Sequence, residues 1–220
     1  MNATASNTSA NLFEVGHVLF GIAGTLLYHE PASLAVEELA AERALLLDPL
    51  IQGLLPAASP ALHDALASVE GDKSLLLQDY TALFIQRTVS KAYPWESVYT
   101  THDHTLFGET TLEVQSIYRS FDIELGACAN EPQDHIGLEF MFLSILSERG
   151  IEALDAGDTA EAERLAKTIT SFLSQHIEVF ANDFLSVVEA KAQTDYYKAV
   201  CLFTREMLAW ANESFMLTEG

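Results

Sequence analysis

Asn130-Glu131-Pro132-Gln133-Asp134-His135-Ile136-Gly137-Leu138-Glu139 is the stretch on which the reading of this chain turns. It marks the passage from a polar loop into a strongly apolar helix. Pro132 has no backbone donor and a fixed φ, which suits the first turn of a helix. Asn130 or Glu131 is then the cap, and Asp134 falls in the first turn, where the helix dipole favours negative charge. Ile136, Leu138, Phe140, Met141, Phe142, Leu143, Ile145 and Leu146 follow. A helix apolar nearly all round lies at the centre of its domain. Arg149-Gly150 supplies a stop. His135 and Glu139 are four apart and share a face. This polar cluster has two readings: a cap with a solvated surface carboxylate, or a site at the mouth of the core.

Ahead of this stretch, Arg87 to Thr105 is the longest segment without helical periodicity. It carries Tyr93-Pro94-Trp95-Glu96-Ser97-Val98-Tyr99 and then His102-Asp103-His104. A loop of this length in a compact domain is often functional. Its aromatic residues either pin it to the core or meet a ligand, and the two uses are compatible.

Helical spacing accounts for the rest. Met1 to Ala10 is polar and reads as a tail. Leu12 to Tyr28 is apolar at helical intervals, and Ser33 opens the next helix. Ala61–Val69, a helix from Ser74 through Tyr80, Leu83 and Phe84, and Glu109–Phe121 follow. After the central helix, Asp158-Thr159-Ala160-Glu161 reads as a capping box that opens a long run to Phe180. The last helix extends from about Thr194 to about Phe215. No convincing strand alternation and no internal repeat is found, so the fold expected is all-α. A flexible tail is expected at 1–11.

The chain has 220 residues and a formal net charge of −21, from 32 acidic and 11 basic residues. That balance opposes binding to nucleic-acid phosphates and to anionic membranes, and attracts basic partners. The segment from Val15 to Tyr28 contains His17 and is short for a membrane span, so no stable membrane insertion is expected. It also lacks the basic start and cleavage site of a signal peptide, and a cytoplasmic location is expected. Cys128 and Cys201 have no metal-site spacing and are expected to be free thiols.

Glycine-rich phosphate loops, nucleophile elbows and paired-cysteine motifs are missing from the sequence. Asp103 and Asp134 also stand among the possible metal ligands, but His102, His104, His135 and Glu139 are the set that suggests a site, and their spacing matches no strong motif. A small all-α metalloenzyme using them is the alternative reading. A structural adaptor in a larger complex is a third.

Three segments together resemble one family. Tyr80-x-x-Leu83-Phe84, Pro94-Trp95-Glu96-Ser97-Val98-Tyr99 and Glu131-Pro132-x-Asp134-His135-x-x-x-Glu139 look like the TorD/DmsD family of cytoplasmic molybdoenzyme maturation chaperones. His176-Ile177-x-x-Phe180 and Tyr196-Tyr197 are similar to its C-terminal half. Where the family usually has glycine and often proline after the Leu-Phe pair, this chain has Ile85-Gln86-Arg87. The resemblance implies a non-enzymatic, all-helical protein without a cofactor of its own. Such a protein binds the twin-arginine leader and apo form of a trimethylamine-N-oxide or dimethyl sulfoxide reductase-type enzyme before export. It also implies two helical parts, 12–129 with the aromatic loop and 130–220, joined at a hinge near Glu131-Pro132, and either monomers or domain-swapped dimers. Some members of that family bind guanine nucleotide weakly, for which this sequence has no phosphate-binding motif.

The residues agree with that implication. A leader with two guanidinium groups and an apolar stretch needs carboxylates and apolar surface. Glu96, Asp134 and Glu139 are the candidate carboxylates. Leu83, Phe84, Tyr93, Pro94, Trp95 and Tyr99 are the candidate apolar surface, with His135 beside them.

Overall fold

A computed structural model describes residues 2–33, 36–69, 73–85, 92–101, 106–125 and 131–216. Among them are eleven α-helices and no strand; the one β-bridge joins Trp95 to His135. The fold is all-α, as the spacing of apolar residues requires. In chain order the helices are α1 (Asn2–Tyr28), α2 (Val36–Leu45), α3 (Pro49–Leu54), α4 (Ala58–Val69), α5 (Lys73–Tyr80) and α6 (Ser97–Thr100). The remainder are α7 (Glu109–Ser120), α8 (Ile136–Asp155), α9 (Thr159–Phe172), α10 (Ala181–Lys191) and α11 (Asp195–Met216).

The frame of the molecule is the pair α1 and α8, which pack along each other. Glycines and serines allow the close approach. A Cβ on Gly137 would come within 2.7 Å of Tyr28 Cβ, and one on Gly24 within 3.0 Å of the Gly137 carbonyl. A Cβ on Gly150 would meet the Phe13 ring at 2.5 Å. Ser144 fills the middle of the seam and donates to the His17 carbonyl at 2.8 Å. Phe13, Leu19, Phe20, Ile22 and Leu26 of α1 are buried here. Burial of each such side chain stabilises the fold by about 1.5–3 kcal/mol. The apolar Asn11–Tyr28 stretch has a mean hydropathy of 1.2 and is 56% buried, so much of this face is core. α9 packs on α8, and α11 crosses α4, α1, α10 and α9.

Four boundaries differ from the sequence expectation. α1 begins at Asn2, so the backbone of the expected tail is helical; no proline or glycine interrupts it before Leu12, and extending a formed helix is easy. α8 begins only at Ile136, with His135 as its cap, and Pro132 lies in the preceding turn. α8 also continues through Arg149-Gly150, because Gly150 serves the contact with Phe13 rather than a stop. Its true end is a Schellman turn: Gly157 has φ 75°, Asp158 N–H donates to the Ala153 carbonyl, and Gly157 N–H donates to that of Leu154. Finally, the long helix expected to reach Phe180 is α9 followed by a π-helical turn, Leu173–Ile177. Asp158 caps α9 by accepting from Glu161 N–H at 3.0 Å, as its capping-box sequence predicts.

Candidate functional site

The aromatic loop and the start of α8 lie side by side. Ile136 N–H donates to the Pro94 carbonyl at 2.8 Å, and Glu96 N–H to the Asp134 carbonyl at 2.9 Å. These two bonds form the short bridge between Trp95 and His135. The Asp134 side chain completes the clamp. It accepts from Ser97 N–H at 2.8 Å and from the Thr111 hydroxyl at 2.8 Å, tying α6 and α7 to the entry of α8. This explains the late start of the helix: Asp134 faces the neighbouring loop rather than its own first turn. Tyr118 adds a bond from its hydroxyl to the Gln133 carbonyl at 3.1 Å.

His135 caps α8 with its imidazole. Nδ1 accepts from Gly137 N–H at 3.1 Å. The ring sits edge-on to Tyr28 and Trp95, with centroids 5.2 and 5.9 Å away. Burial lowers its pKa to about 3, so His135 is neutral at physiological pH.

Three carboxyl groups expected at a ligand-facing surface are instead buried: Glu96 is 3% exposed, and Asp134 and Glu139 are 0% exposed. Asp134 is held by its two donors. Glu96 Oε2 accepts from His176 Nδ1–H at 3.0 Å, and both side chains are buried. Burial raises the Glu96 pKa, and the His176 hydrogen bond opposes that rise. Glu139 lies next to Glu96, and neither of its oxygens receives a donor from a described residue. Burial, and then the charges of Glu96 and Asp134, push its pKa well above the usual carboxylate range. Of the two neighbouring acids, Glu139 is held further toward its protonated form.

The accessible part of the site is a groove of about 390 Å³ where the end of α1, the end of α5 and the Pro94-Trp95 loop meet. Tyr28, Tyr80, Phe84, Ile85 and Trp95 supply apolar and aromatic wall, while Glu30 and Glu131 supply carboxylates. Ile85 is 56% exposed. The Trp95 indole N–H donates to Glu131 Oε1 at 3.0 Å, which sets the angle of the ring. Phe84, at the groove, packs on Tyr80 and, behind it, on Tyr197.

The expected site residues thus separate. Phe84, Pro94, Trp95 and His135 come together at the groove. Leu83 is in the core, and Tyr99 pins the loop by packing on Phe180 at 5.5 Å. Tyr93 is exposed on the loop outside the groove wall. Trp95 both pins the loop, through Glu131, and lines the groove. Sequence reasoning missed Tyr28, Glu30 and His176 as site residues. His176, like Glu131 and Tyr80, stands inside a segment that resembles the family, whereas Tyr28 and Glu30 carry no such signal.

A metal centre at His102, His104, His135 and Glu139 is not favoured. His102, Asp103 and His104 lie outside the described residues, as does Cys128. His135 commits Nδ1 to the helix cap and Glu139 is turned toward Glu96. Among the described residues no group of three or more metal-ligating side chains forms a site. Cys201 is a buried free thiol whose pKa burial pushes up to about 12.

Fold and site together define an all-α protein whose buried polar groups hold a loop beside an acidic, aromatic groove. Residues 48–186 match the family model described as nitrate reductase delta subunit. A Salmonella typhi protein named Tat proofreading chaperone DmsD is 29% identical over 197 residues, 86% of this chain and 84% of that protein. A Haemophilus influenzae protein named probable Tat proofreading chaperone DmsD is 27% identical over 139 residues, 63% of this chain and 61% of that one. A Vibrio cholerae protein named chaperone protein TorD is 26% identical over 102 residues, 46% of this chain and 44% of that one. The chain belongs to the nitrate reductase delta subunit family, in its TorD/DmsD branch.

Proposed function

We propose that this protein is a cytoplasmic, non-catalytic chaperone that binds the twin-arginine leader of a molybdoenzyme in the groove between α1, α5 and the Pro94-Trp95 loop. It engages the apoenzyme during cofactor insertion and releases it for export. The observation that carries the site assignment is the chemistry of the groove wall. Carboxylates at Glu30 and Glu131 flank an aromatic surface of Tyr28, Tyr80, Phe84 and Trp95. Guanidinium groups pair with the first and stack on the second, and the apolar part of a leader lies along the same surface. The net charge of −21 draws a basic peptide inward. Glu96, Asp134 and Glu139 contribute by fixing the shape of the loop.

Calorimetric titration with a twin-arginine leader peptide tests this. Replacing Glu30 and Glu131 by Gln weakens binding by about ten- to a hundredfold, the effect of a shielded charge-assisted bond. A twin-lysine peptide binds more weakly than twin-arginine, and added salt weakens both. Unchanged affinity in the folded double variant would place the leader elsewhere.

A further inference from the structure

The buried chain His176–Glu96–Glu139 links parts of the protein that are remote in sequence. His176 stands on the π-helical turn after α9, Glu96 directly follows Trp95, and Glu139 lies in the first turn of α8. We propose that His176 and Glu139 are positioning residues for the groove. Together they grip the Glu96 carboxylate from two sides, and so hold Trp95 in its binding orientation as long as Glu139 keeps its proton. Glu139 is fully buried, receives no donor from a described residue, and stands beside a second buried acid, Glu96. Two charged carboxylates in contact without solvent repel strongly, whereas one proton between them makes a short, strong bond. The π turn matters because the extra residue it adds to the helical turn alters the direction of His176.

The groups facing this chain are few. Asp134 and the cap His135 lie at the start of α8, Tyr118 comes from α7, and His176 from the turn after α9. None of these supplies a second cation to Glu139. Loss of the proton from Glu139 therefore leaves two carboxylates facing each other, and Glu96, the residue after Trp95, is pushed away.

The test follows the Trp95 indole N–H resonance and leader affinity across pH in the full chain. In wild type, raising the pH until Glu139 loses its proton shifts the Trp95 resonance and weakens leader binding by about tenfold, the effect of one lost charged bond. Glu139→Gln replaces the protonated acid with a neutral donor of the same shape. It keeps the wild-type resonance position and removes its alkaline shift. His176→Gln retains a donor and keeps binding near wild type, while His176→Ala loses about tenfold. Should wild type and Glu139→Gln give superimposable pH profiles, the proton is not part of the grip and the proposal fails. Equal leader affinity in folded His176→Ala and His176→Gln also defeats it. The peptide arm rests on the leader-binding reading and the resonance arm does not. An indole signal that moves as expected in a protein that binds no leader would defeat that reading and leave the grip standing.

Discussion

Asp134→Ala is the most informative single change in this protein. The carboxylate accepts from Ser97 N–H and the Thr111 hydroxyl, each at 2.8 Å, in a fully buried setting. Hydrogen bonds to a charged group each contribute about 1.5–3 kcal/mol. Alanine removes both and orphans the buried Ser97 N–H, while relieving the cost of burying a charge. The net loss should be about 3 kcal/mol. For a chain of this size that lowers the melting temperature by about 6–12 °C. Asp134→Asn separates charge from geometry. Its carbonyl oxygen still accepts from Ser97 N–H, and its amide can donate to Thr111, whose hydroxyl is free to accept. It should cost about 1 kcal/mol. Thermal melts of wild type and both variants measure the ordering, and the Trp95 indole resonance reports whether the loop has moved. If Asp134→Ala melts with wild type, or no lower than Asp134→Asn, the clamp is not what holds the loop to α8.

Four further outcomes are expected. Gly137→Ala places a methyl 2.7 Å from Tyr28 Cβ and should destabilise by about 1–3 kcal/mol despite alanine's better helix propensity, which denaturant titration checks. His135 has a pKa lowered to about 3, so the unfolded chain takes up a proton below pH ~6.5 that the folded protein refuses, and stability falls as pH drops from there toward 3. The loss is about 2 kcal/mol at pH 5, and His135→Asn, a good cap that does not titrate, should remove that part of the acid slope. Glu139, with a raised pKa, works in the opposite sense and weakens the fold as pH rises. Trp95→Ala should weaken leader binding by at least tenfold with helicity unchanged by circular dichroism, as expected for an aromatic anchor at the groove wall.

The helical class, the central place of α8, the capped start of α9 at Asp158 and the extent of α11 are all legible in local pattern. Each of these is set by apolar spacing, or by a donor and acceptor within a few residues of each other. The sequence also placed Trp95 and His135 in one functional neighbourhood, through motifs that resemble a family. What local pattern could not reveal is where polar side chains find partners far along the chain. Asp134 reads as a first-turn acid, but its donor Ser97 lies 37 positions away. Glu96 and Glu139 read as surface carboxylates, yet His176, 80 positions from Glu96, makes burial of the first tolerable and a proton makes burial of the second tolerable. Gly150 reads as a stop until Phe13 of α1 lies against it. Tyr28 and Glu30 join the groove only because α1 runs the length of α8 and ends beside the Pro94-Trp95 loop. The tertiary structure decided these points because removing a charge or a backbone polar group from water is costly, and only the assembled fold supplies the partners that offset the cost.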